Sequence, residues 1–308
     1  MSRLAAVDVG TNSVLLLVAE RGPDGVVRPV REEAEITRLG RGVDRTGVLS
    51  AEGMEATLEV LGRFAGLARG SGARALVVTA TSAARDARNG AEFLALARER
   101  TGGNVEILSG DEEARLSYLA VARDFAAGAG EAGLLVIDVG GGSTEFVHGL
   151  GSTVLFRTSL DIGSVRLTER CVRSDPPSPA EQEAVRAAVR EALSALPAFP
   201  REVRVVGVAG TVTSLYAIAH GIEPYDPARV HGGWLSLDEV AAVRDRLCTV
   251  LLDVRRTLPG MQPRRADVLP AGALLFETAL RHLGAAGAGV SDRGLRWGVL
   301  IDRWEALG

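Results

Sequence analysis

The sequence contains no lysine, and all 35 of its basic residues are arginine. The P-loop nucleotide-binding motif requires a lysine, so P-loop ATPases and GTPases are excluded. Cysteine is also scarce, because Cys171 and Cys248 are the only two in the chain. Two cysteines are too few for a disulfide framework or a four-thiolate zinc site, and they fit a reducing compartment.

Long hydrophobic runs are missing as well. No stretch reaches the roughly 18 consecutive apolar residues of a membrane span, and Asp8 follows the N-terminus too closely for a signal peptide. The formal net charge of −4 argues against a nucleic-acid or membrane surface held by bulk positive charge. We therefore predict a soluble cytoplasmic protein without a nucleic-acid or membrane partner.

The chain is organised around one glycine-rich stretch, LLVIDVGGGSTEFV at residues 134–147. Its apolar start reads as a buried strand that ends in the carboxylate of Asp138. Glycines 140–142 then let the backbone turn tightly beside the hydroxyls of Ser143 and Thr144, a donor set that suits phosphate oxygens. The aspartate can hold a divalent cation. An ordinary glycine-rich hairpin would show the same features.

The same pattern occurs at the start of the chain, in LAAVDVGTNSVLLLVAE. Residues 8–13 align with residues 138–143 without a gap, and four of the six positions are identical. A repeat of this kind predicts two related domains, each contributing a phosphate loop to one shared cleft. The alternative is a chance match of two glycine turns.

The remaining pattern alternates strands and helices, which indicates an α/β fold, and a hairpin at the head of each half predicts mixed sheets. The length of 308 residues allows about two domains. The helix starts include a serine cap at Ser50 and capping boxes at Ser178 and Ser236. The stretch ATSAAR after the strand at 75–79 reads as a small polar loop, and a closing helix covers residues 294–307.

Several segments together closely resemble one family, and the resemblance covers about residues 4–300. The segments are AAVDVGTNSVLLLV, RLGRGV, ATSAARDARN, ILSGDEEARLSYL, VIDVGGGSTEF, SLDIGSVRLTE, GVAGTVTSL, LPGMQPRRADV and SDRGLRWGV. They look like the exopolyphosphatase and guanosine pentaphosphate phosphohydrolase family of the actin-like ATPase superfamily. The resemblance implies two duplicated actin-like (ribonuclease H-like) α/β domains with the active site between them. We place domain I at residues 1–121, with a closing helix at about 298–308 that packs back on it, and domain II at 122–297.

The resemblance also implies Mg²⁺-dependent release of the terminal phosphate from inorganic polyphosphate, and it assigns roles by position. The implied catalytic residues are Glu113 as base, with Asp138 and Glu145; the metal is held by Asp8, Asp138 and Glu145; phosphate is bound by Asn12, Ser13, Arg85, Gly141, Gly142, Ser143, Thr144, Gly210 and Thr211. Without the family, Glu112 and Glu113 would read as surface charges that compensate a helix dipole. The family also implies a homodimer.

Because lysine is absent, arginine side chains and backbone amides must bind the anionic polyphosphate, and the planar fork of arginine can bind two phosphate oxygens at once. The candidates are Arg38, Arg41, Arg85, Arg88, Arg264, Arg265, Arg293 and Arg296. One departure from the family stands at Trp297, where relatives commonly carry a glutamate. This indole puts the closing helix or the substrate channel, and hence the substrate preference, in question.

Three alternatives stay open at this point. Hydrolysis of guanosine pentaphosphate (pppGpp) to tetraphosphate uses the same kind of terminal anhydride, so the sequence does not separate it from polyphosphate hydrolysis. A sensor that binds polyphosphate or the nucleotide without turnover is the second, although the intact set of acidic residues argues against it. A kinase of the same superfamily is the third, and the sequence shows no signature of an acceptor pocket.

Overall fold

The two copies of the Asp-Val-Gly pattern form the same local structure, an antiparallel hairpin closed by the glycine-containing turn. In the computed structural model, which describes residues 3–306, the amide of Gly10 donates to the carbonyl of Ser13 at 2.9 Å. The amide of Gly140 donates to the carbonyl of Ser143 at 3.1 Å in the second copy. The repeat predicted from the sequence is therefore also a repeat of backbone geometry.

The chain divides into two units. Unit 1 holds the residues up to Ala120 together with those from Gly294 onward, and unit 2 holds Val121–Arg293. The return of the chain to unit 1 thus begins at Gly294, a few residues before the position of about 298 expected from the sequence.

Unit 1 is built on a five-stranded mixed sheet. Its strands are β1 (Arg3–Val9), β2 (Ser13–Arg21), β3 (Val27–Ile36), β4 (Ala75–Ala80) and β5 (Asn104–Ile107). The spatial order is β3-β2-β1-β4-β5. The pairs β1–β2 and β2–β3 are antiparallel, whereas β1–β4 and β4–β5 are parallel.

Unit 2 repeats this topology and adds one strand. Its strands are β6 (Leu134–Val139), β7 (Thr144–Leu150), β8 (Thr153–Leu160), β9 (Arg204–Val208), β10 (Trp234–Ser236) and β11 (Gly287–Ser291). The order β8-β7-β6-β9-β11 has the same sequence of antiparallel and parallel pairs as unit 1, with β10 added antiparallel at the edge. This duplicated mixed-sheet architecture confirms the predicted fold class.

Helices flank both sheets. In unit 1 they are α1 (Val43–Thr46), α2 (Ala51–Gly70), α3 (Ser82–Asp86), α4 (Gly90–Thr101), the start of α5 (Gly110–Phe125) and α13 (Leu295–Ala306). In unit 2 they are α6 (Ser164–Cys171), α7 (Pro179–Leu193), α8 (Ala209–Ala219), α9 (Pro227–Val230), α10 (Leu237–Thr249), α11 (Leu252–Arg255) and α12 (Leu269–His282). The predicted helix end at Leu307 lies outside the described residues. None of the helices within residues 3–306 combines the length and the apolar composition that a membrane crossing requires.

The predicted helix starts are confirmed, and one predicted loop is wrong. Ser50 accepts a hydrogen bond from the amide of Gly53, and the serines at 178 and 236 both form complete capping boxes. The ATSAAR stretch, however, forms helix α3 instead of a loop. Its buried Ala83 and Ala84 belong to the core of unit 1, and this packing stabilises a helix too short to form alone.

Trp297 is a core residue. It is only 3% exposed and lies in the apolar cluster of unit 1 that also contains Leu4, Leu17 and Leu116. Helix α13 approaches α5 closely here, because a Cβ on Gly298 would lie 1.9 Å from the carbonyl oxygen of Leu116. The departure from the family pattern at Trp297 therefore concerns the packing of unit 1.

Candidate active site

The predicted site residues of each unit lie at one edge of its sheet. In unit 1 the parallel strands β1, β4 and β5 end side by side, and they lead into the 10–13 turn, α3 and α5 respectively. In unit 2 the parallel strands β6 and β9 end side by side and lead into the 140–143 turn and α8. Ligands of α/β sheets bind at this carboxyl edge of the strands.

The first glycine turn is held by the loop that follows β3. The amides of Thr37 and Arg38 both donate to the carbonyl of Asn12, at 3.1 and 3.0 Å, and the amide of Gly40 donates to the carbonyl of Thr11 at 2.9 Å. Arg38 adopts a left-handed backbone conformation, with φ of 59°, which costs of order 1–3 kcal/mol for a residue other than glycine. The side-chain nitrogen of Asn12 is buried and makes no hydrogen bond within residues 3–306. A buried donor without a hydrogen bond calls for an explanation, and a ligand bound at this turn would supply one.

The structure brings Glu113 and Arg85 together. Glu113 lies in the first turn of α5 and is 8% exposed, and Nη1 of Arg85 donates to its Oε2 at 3.1 Å. The same Nη1 donates to the carbonyl of Leu108 at 3.0 Å. Within residues 3–306 the hydrogen bonds of this guanidinium use Nη1 alone, which leaves its Nη2 donors for a phosphate oxygen. Glu113 is thereby held in one orientation at the sheet edge.

In unit 2, two of the predicted carboxylates face each other directly. Asp138 on β6 pairs with Glu145 on β7 in the antiparallel ladder, so both side chains project from the same face of the sheet. Both are buried, with 8% and 1% exposure. Glu145 also pairs with Ser159 on β8, whose hydroxyl donates to Oε1 of Glu145 at 2.7 Å. No local sequence pattern marks Ser159 as part of the site.

The glycine turn of unit 2 is anchored through its carbonyls by the start of α6. The amide of Ser164 donates to the carbonyl of Gly140 at 3.0 Å, and Nε of Arg166 donates to the carbonyl of Gly142 at 2.7 Å. The amides of Gly141 and Gly142, by contrast, donate to no residue in the described part of the chain. The turn therefore presents amide donors of the kind that bind phosphate oxygens.

Gly163, which precedes α6, makes this anchoring possible. A Cβ at this position would lie 2.5 Å from the backbone carbon and oxygen of Gly141 and 2.7 Å from the amide nitrogen of Gly142. Gly163 and Arg166 both lie in the SLDIGSVRLTE segment that carries the family resemblance, but neither is among the predicted site residues. Their partners are more than 20 residues away in the chain, so local patterns do not reveal them.

The hydroxyl of Thr144, one of the predicted phosphate-binding residues, is hydrogen-bonded within unit 2. Thr144 is fully buried, and its hydroxyl donates to the carbonyl of Ile162 at 2.6 Å. A phosphate oxygen is an acceptor and needs a donor, whereas the single proton of this hydroxyl is already used. Thr144 joins β7 to the segment before α6 and so has a structural role.

The third predicted loop, at Gly210 and Thr211, lies beside a strained residue and an arginine side chain. Ala209, at the start of α8, has a left-handed conformation with φ of 71°. The guanidinium of Arg265 lies against the next residue, because a Cβ on Gly210 would be 2.2 Å from its Nη1. Burial lowers the pKa of Arg265, which nevertheless remains charged as arginines do. Thr211 is 3% exposed and packs against Gly272 of α12.

Two of the arginine candidates have other partners. Arg293 makes two hydrogen bonds to the carboxylate of Asp124, at 3.0 and 2.9 Å, and Arg296 donates to Glu32 at 2.6 Å. His231 also contacts Asp124, with Nε2 3.4 Å from Oδ2. Burial would raise the pKa of Asp124, but His231 and Arg293 outweigh it, so the pKa is lowered. Both arginines therefore bind carboxylates of the protein itself, and these ion pairs do not indicate that either arginine binds the substrate.

The residues present fit a magnesium ion. No cluster of three or more histidine, cysteine, aspartate or glutamate side chains suited to a metal occurs in residues 3–306. Mg²⁺ does not need such a cage, because it keeps several waters and is commonly bound through one or two carboxylates together with substrate phosphates. The facing carboxylates of Asp138 and Glu145 supply oxygen ligands of this kind, and a cation would relieve their mutual repulsion. Asp8 stays a predicted ligand in unit 1.

Comparison with known proteins identifies the family of this chain. The model of the Ppx/GppA phosphatase family matches residues 17–306. The chain is 39% identical over 294 residues to exopolyphosphatase 2 of Mycobacterium tuberculosis, an alignment that covers 92% of this chain and 91% of that protein.

Solved structures agree over the full length. The Aquifex aeolicus member of the Ppx/GppA family matches with a TM-score of 0.83 and 33% identity, covering 100% of this chain and 99% of that chain. The crystal structure of an exopolyphosphatase-like protein matches with a TM-score of 0.90 and 32% identity, covering 99% and 100%. Sequence, topology and relatives thus agree that this chain belongs to the Ppx/GppA phosphatase family and is a hydrolase of phosphoanhydride bonds.

Proposed function

We propose that this protein is an exopolyphosphatase that releases the terminal phosphate of inorganic polyphosphate with the help of Mg²⁺. The observation that supports this most directly is the pairing of Asp138 with Glu145 beside a turn whose glycine amides are available to an anion. The name of the M. tuberculosis relative points to the same substrate class. A homodimer is part of the proposal, and multi-angle light scattering of the purified protein tests it.

The residues supply the parts that phosphoanhydride hydrolysis requires: donors around the transferring phosphoryl group, a positioned water and a means to neutralise charge. In the proposal, the amides of Gly141 and Gly142 bind the terminal phosphate. Glu113, oriented by Arg85, accepts the proton of the attacking water. Mg²⁺ bound at Asp138 and Glu145 would neutralise the phosphate oxygens. Donors fixed in advance in this way would account for most of the rate enhancement.

The proposal assigns both residue sets to one reaction. Glu113 and Arg85 belong to unit 1, whereas the glycine turn and the facing carboxylates belong to unit 2. It follows that substitution of Glu113 in unit 1 and substitution of Asp138 or Glu145 in unit 2 should each lower turnover strongly. An unchanged rate after substitution of Glu113 would exclude unit 1 from the chemistry, and unchanged rates after substitution of both Asp138 and Glu145 would exclude the carboxylates of unit 2.

The experiment that tests the proposal measures phosphate release from polyphosphates of defined length and from pppGpp, across a titration of Mg²⁺. We expect release that depends on the divalent cation, with a higher kcat/KM for polyphosphate. A higher kcat/KM for pppGpp would favour the nucleotide as substrate. Saturable binding of polyphosphate without any release would favour the sensor function instead.

A further inference from the structure

A row of three polar side chains crosses adjacent strands at the carboxyl edge of the unit 2 sheet. In the ladder, Asp138 lies opposite Glu145, and Glu145 lies opposite Ser159. Residues that are directly opposite each other in neighbouring strands share one face of the sheet. The side chains of β6, β7 and β8 are therefore aligned, and the hydroxyl of Ser159 contacts the central carboxylate at 2.7 Å.

The corresponding row of unit 1 serves as an internal comparison. There Asp8 lies opposite Leu15, and Leu15 lies opposite Ala34. The first aspartate occurs in both units, but the second carboxylate and the hydroxyl occur together in unit 2 alone. Strand pairing by itself does not need this hydroxyl, because alanine takes its place in the equivalent strand of unit 1.

The chemistry of the row explains why the two groups occur together. Two like charges directly opposite each other on a sheet destabilise it, and a glutamate side chain has several rotamers through which it could turn away. A hydroxyl that donates to Oε1 stabilises the negative charge on that oxygen and restrains the plane of the carboxylate. The position of Glu145 opposite Asp138 is thereby maintained in the absence of a cation.

From this geometry we infer that Ser159 is a positioning residue: its hydroxyl holds Glu145 in the orientation in which it binds the divalent cation together with Asp138. The expected effect on kcat rests on the proposed hydrolysis of polyphosphate. The expected effect on the affinity for the cation does not require that this substrate is the right one. Outer groups that orient ligand carboxylates typically contribute about 10–100-fold to metal affinity or activity.

The test compares the full-length protein with three variants, Ser159→Ala, Ser159→Thr and Thr158→Ala. Threonine keeps the hydroxyl, whereas Thr158 is the neighbouring residue whose side chain projects from the opposite face of β8. The affinity for Mn²⁺, used as a spectroscopic substitute for Mg²⁺, is measured by electron paramagnetic resonance with and without inorganic phosphate. The kcat and KM for polyphosphate and the thermal unfolding of each variant are measured in parallel.

We expect Ser159→Ala to weaken Mn²⁺ binding at least about tenfold and to lower kcat by a similar factor. KM for polyphosphate and thermal unfolding without metal should change little, and Ser159→Thr should restore both affinity and kcat. Wild-type Mn²⁺ affinity in Ser159→Ala would overturn the inference, and so would an equal loss in Thr158→Ala. If the wild type binds Mn²⁺ but does not hydrolyse polyphosphate, the proposed function fails while the inference is still decided by the affinities.

Discussion

The neighbouring acidic residues Glu112 and Glu113 show how strongly the role of one residue depends on its partner. Both lie in the first turn of α5, where negative charge suits the helix dipole. Glu112 is partly exposed and forms an ion pair with Arg115 of the same helix. Glu113 is 8% exposed and contacts Arg85, which lies 28 residues earlier in the chain. This long-range contact distinguishes the predicted base from a surface charge.

We predict that Glu113→Gln folds normally and binds polyphosphate but loses about 10²–10⁴-fold in kcat, because the isosteric amide cannot accept a proton from water. The amide oxygen can still accept the hydrogen bond from Arg85. Steady-state phosphate release and circular dichroism measure the two halves of this prediction. The matched control is Glu112→Gln, for which we expect nearly wild-type kcat; turnover near wild type in Glu113→Gln would remove this residue from the base role.

The hairpin turn between β6 and β7 depends on a segment that lies more than 20 residues away in the chain. Its carbonyls are bound by the first residues of α6, and Gly163 allows the two backbones to approach. Gly163 has an extended backbone, so any residue could adopt its φ and ψ. The requirement for glycine at this position comes from space alone.

We predict that Gly163→Ala destabilises the protein by about 1–3 kcal/mol and raises KM for polyphosphate, because the new Cβ displaces the backbone of the glycine turn. The control is Gly66→Ala in α2, where a Cβ meets nothing within 4 Å. This substitution should leave KM unchanged and stabilise the helix by up to about 1 kcal/mol. Chemical denaturation and steady-state kinetics are measured on both variants. An unchanged KM in Gly163→Ala would contradict the prediction.

Helix α12 contains a buried ion-pair network that predicts a pH dependence of stability. Glu277 is 3% exposed and accepts hydrogen bonds from Arg244 on α10 and from Arg281. Burial would raise the pKa of Glu277, but the two arginines outweigh it, so its pKa is lowered. For a glutamate with a lowered pKa in the folded state, the stabilisation is present above the unfolded value of about 4.3 and is lost as the pH falls through the folded pKa.

We therefore predict that Glu277→Gln lowers the free energy of unfolding at pH 7 by about 1.5–3 kcal/mol, because it removes the buried carboxylate that accepts hydrogen bonds from Arg244 and Arg281, while Asp245 still pairs with Arg244. The difference from wild type should shrink as the pH falls below about 4. Arg281 is the exposed partner, so Arg281→Gln should cost less than about 1 kcal/mol. Urea denaturation at pH 7 and at about pH 3 measures these values, and a difference that grows in acid would contradict the assignment.

The chain as a whole is not a simple succession of two domains. Unit 1 is formed by the start and the end of the chain, and α13 closes an apolar cluster that includes residues of β1, β2 and α5. Leu295, Trp297, Leu300 and Trp304 are all at most 5% exposed in this cluster. The core of the first unit is thus complete only when residues nearly 300 positions apart have met.

We predict that Trp297→Ala lowers the free energy of unfolding by about 3–5 kcal/mol, because it opens a cavity in this core. The ratio of kcat/KM for polyphosphate to that for pppGpp should stay unchanged, since the indole belongs to the packing of unit 1. The same substitution at Trp234, which is 55% exposed, should stay within about 0.5 kcal/mol of wild type. Chemical denaturation measures the free energy of unfolding, and kinetic assays with polyphosphate and pppGpp measure the ratio of kcat/KM values. An altered ratio in Trp297→Ala would indicate that the indole influences the substrate preference.

Features that depend on neighbouring residues could be predicted before the fold was known. The hairpins, the serine caps and the alternation of strands and helices follow from apolar periodicity, glycine and hydroxyl chemistry within a few positions. The repeat was visible for the same reason, since its two copies match residue by residue. Together with the family resemblance, these local signals were enough for the fold class, and they also supplied the residues of the candidate site, whose roles stay predictions.

Features that depend on distant partners could not be predicted in this way. Arg296 pairs with a glutamate 264 residues away, Thr144 donates its proton to a carbonyl of another segment, and Ser159 meets Glu145 through strand register. The short helix α3 likewise forms because the core covers it. In each case the stabilising free energy comes from burial or from a partner that only the folded chain supplies. The same residue type therefore has different roles at different positions.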